Sequence, residues 1–230
     1  VCLTHLDRDH FRPTWPATLL RLGIRLYVHR WHVPDLSRVP KAAPLFDAGL
    51  VQTVDGQAFQ AMPGLHAATV RLQHDRQGTL AYRLEADGGD QGVIGYATDL
   101  GHVPPCLIEH LAGVDLLCLE SNYDEHMTIH STRPRFVNRR NLSDSGHLSN
   151  EQAFDAVRRI CDASPAGNPK HIVLMHRSSQ CNHPMKVKRV FERDVRLARR
   201  ITLAEQRRRT RWFTVKPLPR WQRQQLRWMF

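Results

Sequence analysis

The chain opens on a short apolar stretch, residues 1–4, that reads as the end of a buried strand, and a polar cluster, residues 5–10, reads as the loop after it. Residues 14–22 have helical spacing with Pro16 acceptable in a first turn, and residues 24–28 alternate as a strand does. Further strands are predicted over residues 69–72, 79–85 and 92–97, the last two joined by an Asp-Gly-Gly-Asp turn. Residues 104–112 read as a helix, and the apolar run 114–119, bounded by polar residues, as a buried strand. Ala153, Phe154, Val157 and Ile160 recur at helical spacing behind a Ser149 or Asn150 cap, which predicts a helix over 149–161. A strand at 171–175 follows, then a basic amphipathic helix over 189–200 and short strands at 201–204 and 211–215. Strands alternating with helices place the chain in the α/β (α+β) class, where chemistry belongs at strand ends.

A length of 230 residues with 41% hydrophobic content suits one domain with a real core. No apolar run approaches the roughly 18 to 20 residues of a membrane helix, so no membrane partner is expected. Five cysteines lie scattered without paired spacing, and the first residues carry no export signal; both predict free thiols and a cytoplasmic home. Charge changes the picture more. Residues 186–230 hold fifteen Lys and Arg against three acids, so the formal charge of +11 sits there and the rest is close to neutral. Such a region attracts polyanions, nucleic acid first among them, or is a solvated face. Residues 216–230, with Trp221 and Trp228 among arginines, read as a basic tail beyond a domain spanning 1–215, and Trp212 joins them as a base-stacking candidate.

The polar cluster carries the candidate chemistry. In an extended chain His5 and Asp7 leave on one face, and Asp9 and His10 sit together in the turn beyond. Four such groups together need a counter-charge if buried, and a divalent metal supplies one; an exposed polar loop needs none.

His5-Leu-Asp-Arg-Asp-His10 resembles the H-x-H-x-D-H signature of the metallo-β-lactamase superfamily, with Asp7 where the second histidine normally stands. Later stretches follow the family's order: His74 in Q-H-D, Asp99 in Y-A-T-D-L-G, L-E-S-N from Leu119, S-D-S-G-H-L-S-N ending at Asn150, and L-M-H-R-S at His176. The L-E-S-N and G-H-L-S-N pair is similar to the WalJ/YycJ branch, and ribonuclease Z-like relatives are more distant. The resemblance implies an αββα sandwich and two divalent metals. One would take His5, Asp7 and His74, the other Asp9, His10 and His176, with Asp99 bridging. Zinc is the family's usual ion, while the harder Asp7 favours manganese or iron. It implies a metal-dependent phosphodiesterase or nuclease in which metal-bound hydroxide attacks phosphorus. Asp9, His147 and Glu120 form the catalytic set, His147 protonating the leaving oxygen with Glu120 or Asp144 orienting it. Arg135, Arg139 and Arg140 could then hold a phosphate. Alternatives are a small-molecule ester, thioester or lactone hydrolase and a non-catalytic nucleic-acid-binding remnant. The signature begins at residue 5, where the family places it further in, so the opening strands of the first sheet are expected to be missing.

Overall fold

The computed structural model describes residues 1–74, 76–88, 92–165 and 167–215. Helix α1 (Trp15–Leu22) starts with Pro16 in its first turn and stops at Gly23, whose φ of 62° is the left-handed conformation that ends helices. Strand β1 (Leu26–His29) runs through a 3-10 turn (Arg30–His32) and short helices α2 (Val33–Leu36) and α3 (Ala43–Asp47) into β2 (Val51–Val54), its parallel partner.

A seven-stranded sheet takes the rest, in sequence order: β3 (Phe59–Met62), β4 (Leu65–Leu72), β5 (Thr79–Ala86), β6 (Val93–Ala97), β7 (Leu116–Glu120), β8 (His171–Met175) and β9 (Ile201–Leu203). Pairing is antiparallel from β3 to β6 and parallel from β6 to β9. The parallel half needs crossovers. Helix α4 (Pro105–Leu111) joins β6 to β7; α5 (Glu125–Ile129), α6 (Arg135–Asn141) and α7 (Asn150–Asp162) join β7 to β8; α8 (Pro184–Phe191) and α9 (Val195–Ala198) join β8 to β9.

The layers follow from where apolar side chains point. Leu26 and Val28 of β1 pack with Leu19, Leu36 and Leu45 of α1 to α3, whereas Tyr27 turns onto Ala67, Leu80 and Tyr82 of the large sheet. That sheet's other face, with Leu117, Leu119, Ile172 and Leu174, packs on Leu107 and Leu111 of α4, Val157 and Ile160 of α7 and Phe191 of α8. The order helices, small sheet, large sheet, helices is the sandwich that the sequence led us to expect.

Several elements differ from the sequence expectation. All of β1 is buried, so its apparent alternation is a strand covered on both faces. The opening strand is reduced to a single bridge from Cys2 to Tyr27. The predicted helix at 189–200 is two helices: α8 begins earlier, at Pro184, and ends at Phe191, and Asp194 caps a new start by accepting from Arg196 N–H. Residues 211–215 form no strand, and Trp212 is 94% exposed. Strands β2 and β3 and helices α5 and α6 were not anticipated. The tail at 216–230, with Trp221 and Trp228, lies outside the described residues. Among those described, no helix is long and apolar enough to cross a membrane.

Candidate metal centre

Parallel strands β6, β7 and β8 are in register, Ala97 opposite Leu119 and Glu120 opposite Met175, so their carboxyl ends form one rim. Asp99, Glu120 and His176 stand on it, at the edge where α/β sheets place ligands. Asp99 and His176 have φ of 57° and 53°. Non-glycine residues there cost on the order of 1–3 kcal/mol, a strain found at sites whose side chains must aim in one direction.

The opening loop is fixed to this rim from both sheets. Leu3 N–H donates to Tyr27, Leu80 N–H donates to the Thr4 carbonyl, and Tyr82 Oη donates to the Leu3 carbonyl. A turn closed by His10 and Phe11 N–H groups on the Asp7 carbonyl carries Asp9 and His10 inward, anchored by buried Phe11. His74 follows β4, and His147 lies in the loop between α6 and α7. A side chain at Gly146 would collide with the Arg140 and Asn141 carbonyls, so that loop packs this tightly only around glycine.

Asp99 sits at the centre. Its Oδ2 is 3.1 Å from His10 Nε2, and its Oδ1 is 3.5 Å from His176 Nε2, 3.6 Å from His147 Nδ1 and 4.0 Å from His74 Nε2. On one side, Asp7 Oδ2 lies 3.8 Å from His5 Nε2 and 4.0 Å from His74 Nε2. On the other, Asp9 Oδ2 lies 3.4 Å from His176 Nε2 and 3.6 Å from His10 Nε2. Two groups of donors therefore flank one carboxylate.

These residues fit divalent metal. His5 Nδ1 is held by the Thr4 and Thr79 hydroxyls, and His74 Nδ1 donates to the Gly146 carbonyl at 3.0 Å, which turns each Nε2 toward the centre. His5 Nε2 is buried without a hydrogen-bond partner, an atom that asks for a ligand. Burial pushes the His5 pKa down to about 4, which leaves a neutral nitrogen lone pair. His176 is driven the other way: burial opposes its charge, but hydrogen bonds to Asp9 and Glu120 raise it to about 11. Asp9 falls to about 2, chiefly through His176. Asp99 is held well below the carboxylate range although burial opposes it, because His10, His176 and His5 surround it. A centre so rich in carboxylate demands positive charge. The potential ligand sets are Asp99, Glu120, His147 and His176; His5, His74 and Asp99; and Asp9, His10 and His176.

Glu120 is fully buried with its Oε1 2.8 Å from His147 Nδ1; Asp144, the other carboxylate considered for this role, is exposed. Burial works against a charged His147, yet Glu120's hydrogen bond and charge outweigh it and hold the imidazole above its ordinary pKa.

The sequence missed what supports His176. Asn122 Nδ2 donates to its carbonyl at 2.7 Å; Asn182 Nδ2 donates to the Ser121 and Asn122 carbonyls and to Asn150 Oδ1; Ser121 Oγ donates to Asn150 Oδ1. The L-E-S-N and L-S-N motifs thus interlock beneath the site through Asn182, which no local pattern singles out. Arg135, Arg139 and Arg140 lie exposed on α6. The cleft of about 690 Å³ that opens beside Asp9, His10, His147 and His176 is lined instead by Arg133 and Arg177.

A sequence profile described as a beta-lactamase superfamily domain matches residues 1–176. Exodeoxyribonuclease YycJ of Bacillus anthracis is 30% identical over 111 residues, which are 48% of this chain and 39% of that protein, so the match spans well under half of the relative's length. Among solved structures, the metallo-β-lactamase fold protein YhfI from Bacillus subtilis superposes with a TM-score of 0.59 at 15% identity, covering 89% of this chain and 73% of YhfI. Human tRNase Z, short form, gives 0.55 at 16%, covering 89% and 75%. Rim geometry, fold and sequence profile agree: the chain belongs to the beta-lactamase superfamily and has the metallo-β-lactamase fold.

Proposed function

We propose that the protein is a metal-dependent phosphodiesterase acting on nucleic acid. The observation that carries this reading is the single carboxylate of Asp99 reaching both donor groups, His74 on one side and His10 and His176 on the other. In this reading His5, Asp7 and His74 would hold one divalent ion and Asp9, His10 and His176 a second, with Asp99 available to both. Metal so placed supplies Lewis acidity, which ionises water near pH 7 and offsets the charge developing on phosphate. Asp7 adds a hard oxygen donor, which favours manganese or iron over zinc. The chain's own residues do the rest. Asp9 closes the second donor group and faces the cleft, where it can accept a hydrogen bond from the attacking water. With Nδ1 turned toward the Glu120 carboxylate, His147 has Nε2 to protonate the departing oxygen. The Glu120 charge raises the imidazole's pKa against burial, which favours the acid form. The YycJ similarity and the basic region at 186–230 support a nucleic-acid substrate. Five free thiols suit the reducing cytoplasm, where we place it.

The test pairs elemental mass spectrometry on unchelated protein with hydrolysis of bis(p-nitrophenyl) phosphate. About two metals per chain and manganese- or zinc-dependent turnover are expected, with Asp99→Ala losing both. Turnover that survives chelation sinks the mechanism, and preference for a thioester or lactone replaces the substrate class.

A further inference from the structure

The cleft beside the candidate centre is lined by two arginines that no carboxylate pairs with among the described residues, although Asp9 and Glu205 line it too. Arg133, between α5 and α6, donates from Nε to Gln180 Oε1 at 2.7 Å and from Nη2 to Ser178 Oγ at 3.4 Å. Arg177, next to His176, donates from Nη1 to the Ala204 carbonyl at 3.3 Å. Every acceptor that fixes them is neutral, and neither enters an ion pair among the described residues. Both are partly buried and line the cleft that His147 and His176 also line. A guanidinium has five N–H donors, and the hydrogen bonds named above use two of Arg133's and one of Arg177's. Helix α8 adds the positive end of its dipole, since His183 and Pro184 at its start line the same space. Asp9 lies beside His10 and His176 in a candidate ligand set, Glu205 lines the cleft as well, and Arg133 and Arg177 stand apart from the ligand sets. An anion one step removed from the reacting centre fits that separation.

We propose that Arg133 and Arg177 receive a second phosphate of the substrate, one linkage from the scissile one, so that the preferred substrate is an oligonucleotide strand and not an isolated diester. Guanidinium groups pair with phosphate oxygens in bidentate fashion, and losing such a charged hydrogen-bond pair lowers affinity about ten- to a hundredfold. The inference rests on the phosphodiesterase reading, and the experiment separates the two.

Metal-loaded protein, Arg133→Ala, Arg177→Ala and Arg133→Lys are assayed on hexathymidylate and on bis(p-nitrophenyl) phosphate, which has a single phosphate. In parallel, anisotropy measures binding of a fluorescein-labelled phosphorothioate hexathymidylate. Each alanine variant is expected to lose at least tenfold more kcat/KM on hexathymidylate than on the small diester, to bind the phosphorothioate correspondingly more weakly, and Arg133→Lys to recover part. Equal losses on both substrates, or unchanged binding, overturn the proposal. If the wild type cleaves neither substrate, the phosphodiesterase reading falls, and the anisotropy series alone decides whether the arginines hold phosphate.

Discussion

At the residue scale, Glu120 decides the state of two histidines while touching no solvent. Its carboxylate raises both His147 and His176. Glu120→Gln keeps the volume and removes the charge. His147's pKa then falls, its acid form is lost at lower pH, and the alkaline limb of the kcat profile is expected to move down. If His147 is the proton donor, kcat at neutral pH should drop about 10²- to 10⁴-fold, the usual contribution of general acid catalysis. A pH–rate series checks both; an unmoved alkaline limb would mean that another group protonates the leaving oxygen. Cys118 shows the opposite case, a group that burial alone governs. Its thiol is pushed up to about 11 from an ordinary 9.0. The folded state therefore keeps the thiol protonated while the unfolded chain ionises, so this contribution is fully present below pH 9 and is lost as pH rises from 9 to 11. Alkylation at pH 8 should label exposed Cys106 and leave Cys118 unmodified until the protein unfolds.

At the element scale, α7 shows how local signals position a distant site. Ser149 accepts from Gln152 N–H while the Gln152 side chain accepts from Ser149 N–H, a reciprocal cap. This fixes the first turn, from which Asn150 reaches Ser121 and Asn182. Ser149→Ala is expected to cost about 0.5–2 kcal/mol, which lowers Tm by a few degrees in a chain of this size. Thermal unfolding measures that, and metal content should fall with it if the cap transmits strain to His176. The cap was legible in the sequence because cap chemistry and helical periodicity act over four residues, and β5, β6 and β8 were legible for the same local reason. Strands β2 and β3 were not, since half or more of their residues are partly or fully exposed and no apolar run marks them. Rim residues Asp99 and His176 were found through the order of motifs. Arg133 and Arg177 were passed over for Arg135, Arg139 and Arg140, because sequence proximity to His147 says nothing of which side chain turns into the cleft. Only the crossover from β7 through α5, α6 and α7 brings residues 133, 147 and 177 to one opening.

At the scale of the whole molecule, charge is arranged in opposition: a group of acids stands at the rim of the parallel strands, and the net positive charge lies in the C-terminal fifth of the sequence. Residues 205–211 link the two. Glu205 and Gln206 line the cleft, and Arg207, Arg208, Arg209 and Arg211 follow, all exposed. A single strand whose phosphates enter the cleft would thus leave over cationic surface, and counterion release makes such binding fall steeply with salt. Removing residues 216–230 deletes Lys216, Arg220, Arg223 and Arg227. If all four contact phosphate, the slope of log affinity against log salt for single-stranded DNA should become shallower by about 3, at roughly 0.7 per contact. Arg207→Ala and Arg209→Ala should each reduce it by about 0.7. A titration of fluorescent oligothymidylate across 50–200 mM salt distinguishes the contributions. A slope unchanged by the deletion but reduced by the two substitutions would confine the interface to the described fold, with the strand path ending at residue 211. The reverse result would place the recognition of nucleic acid in the tail and leave the cleft to chemistry alone.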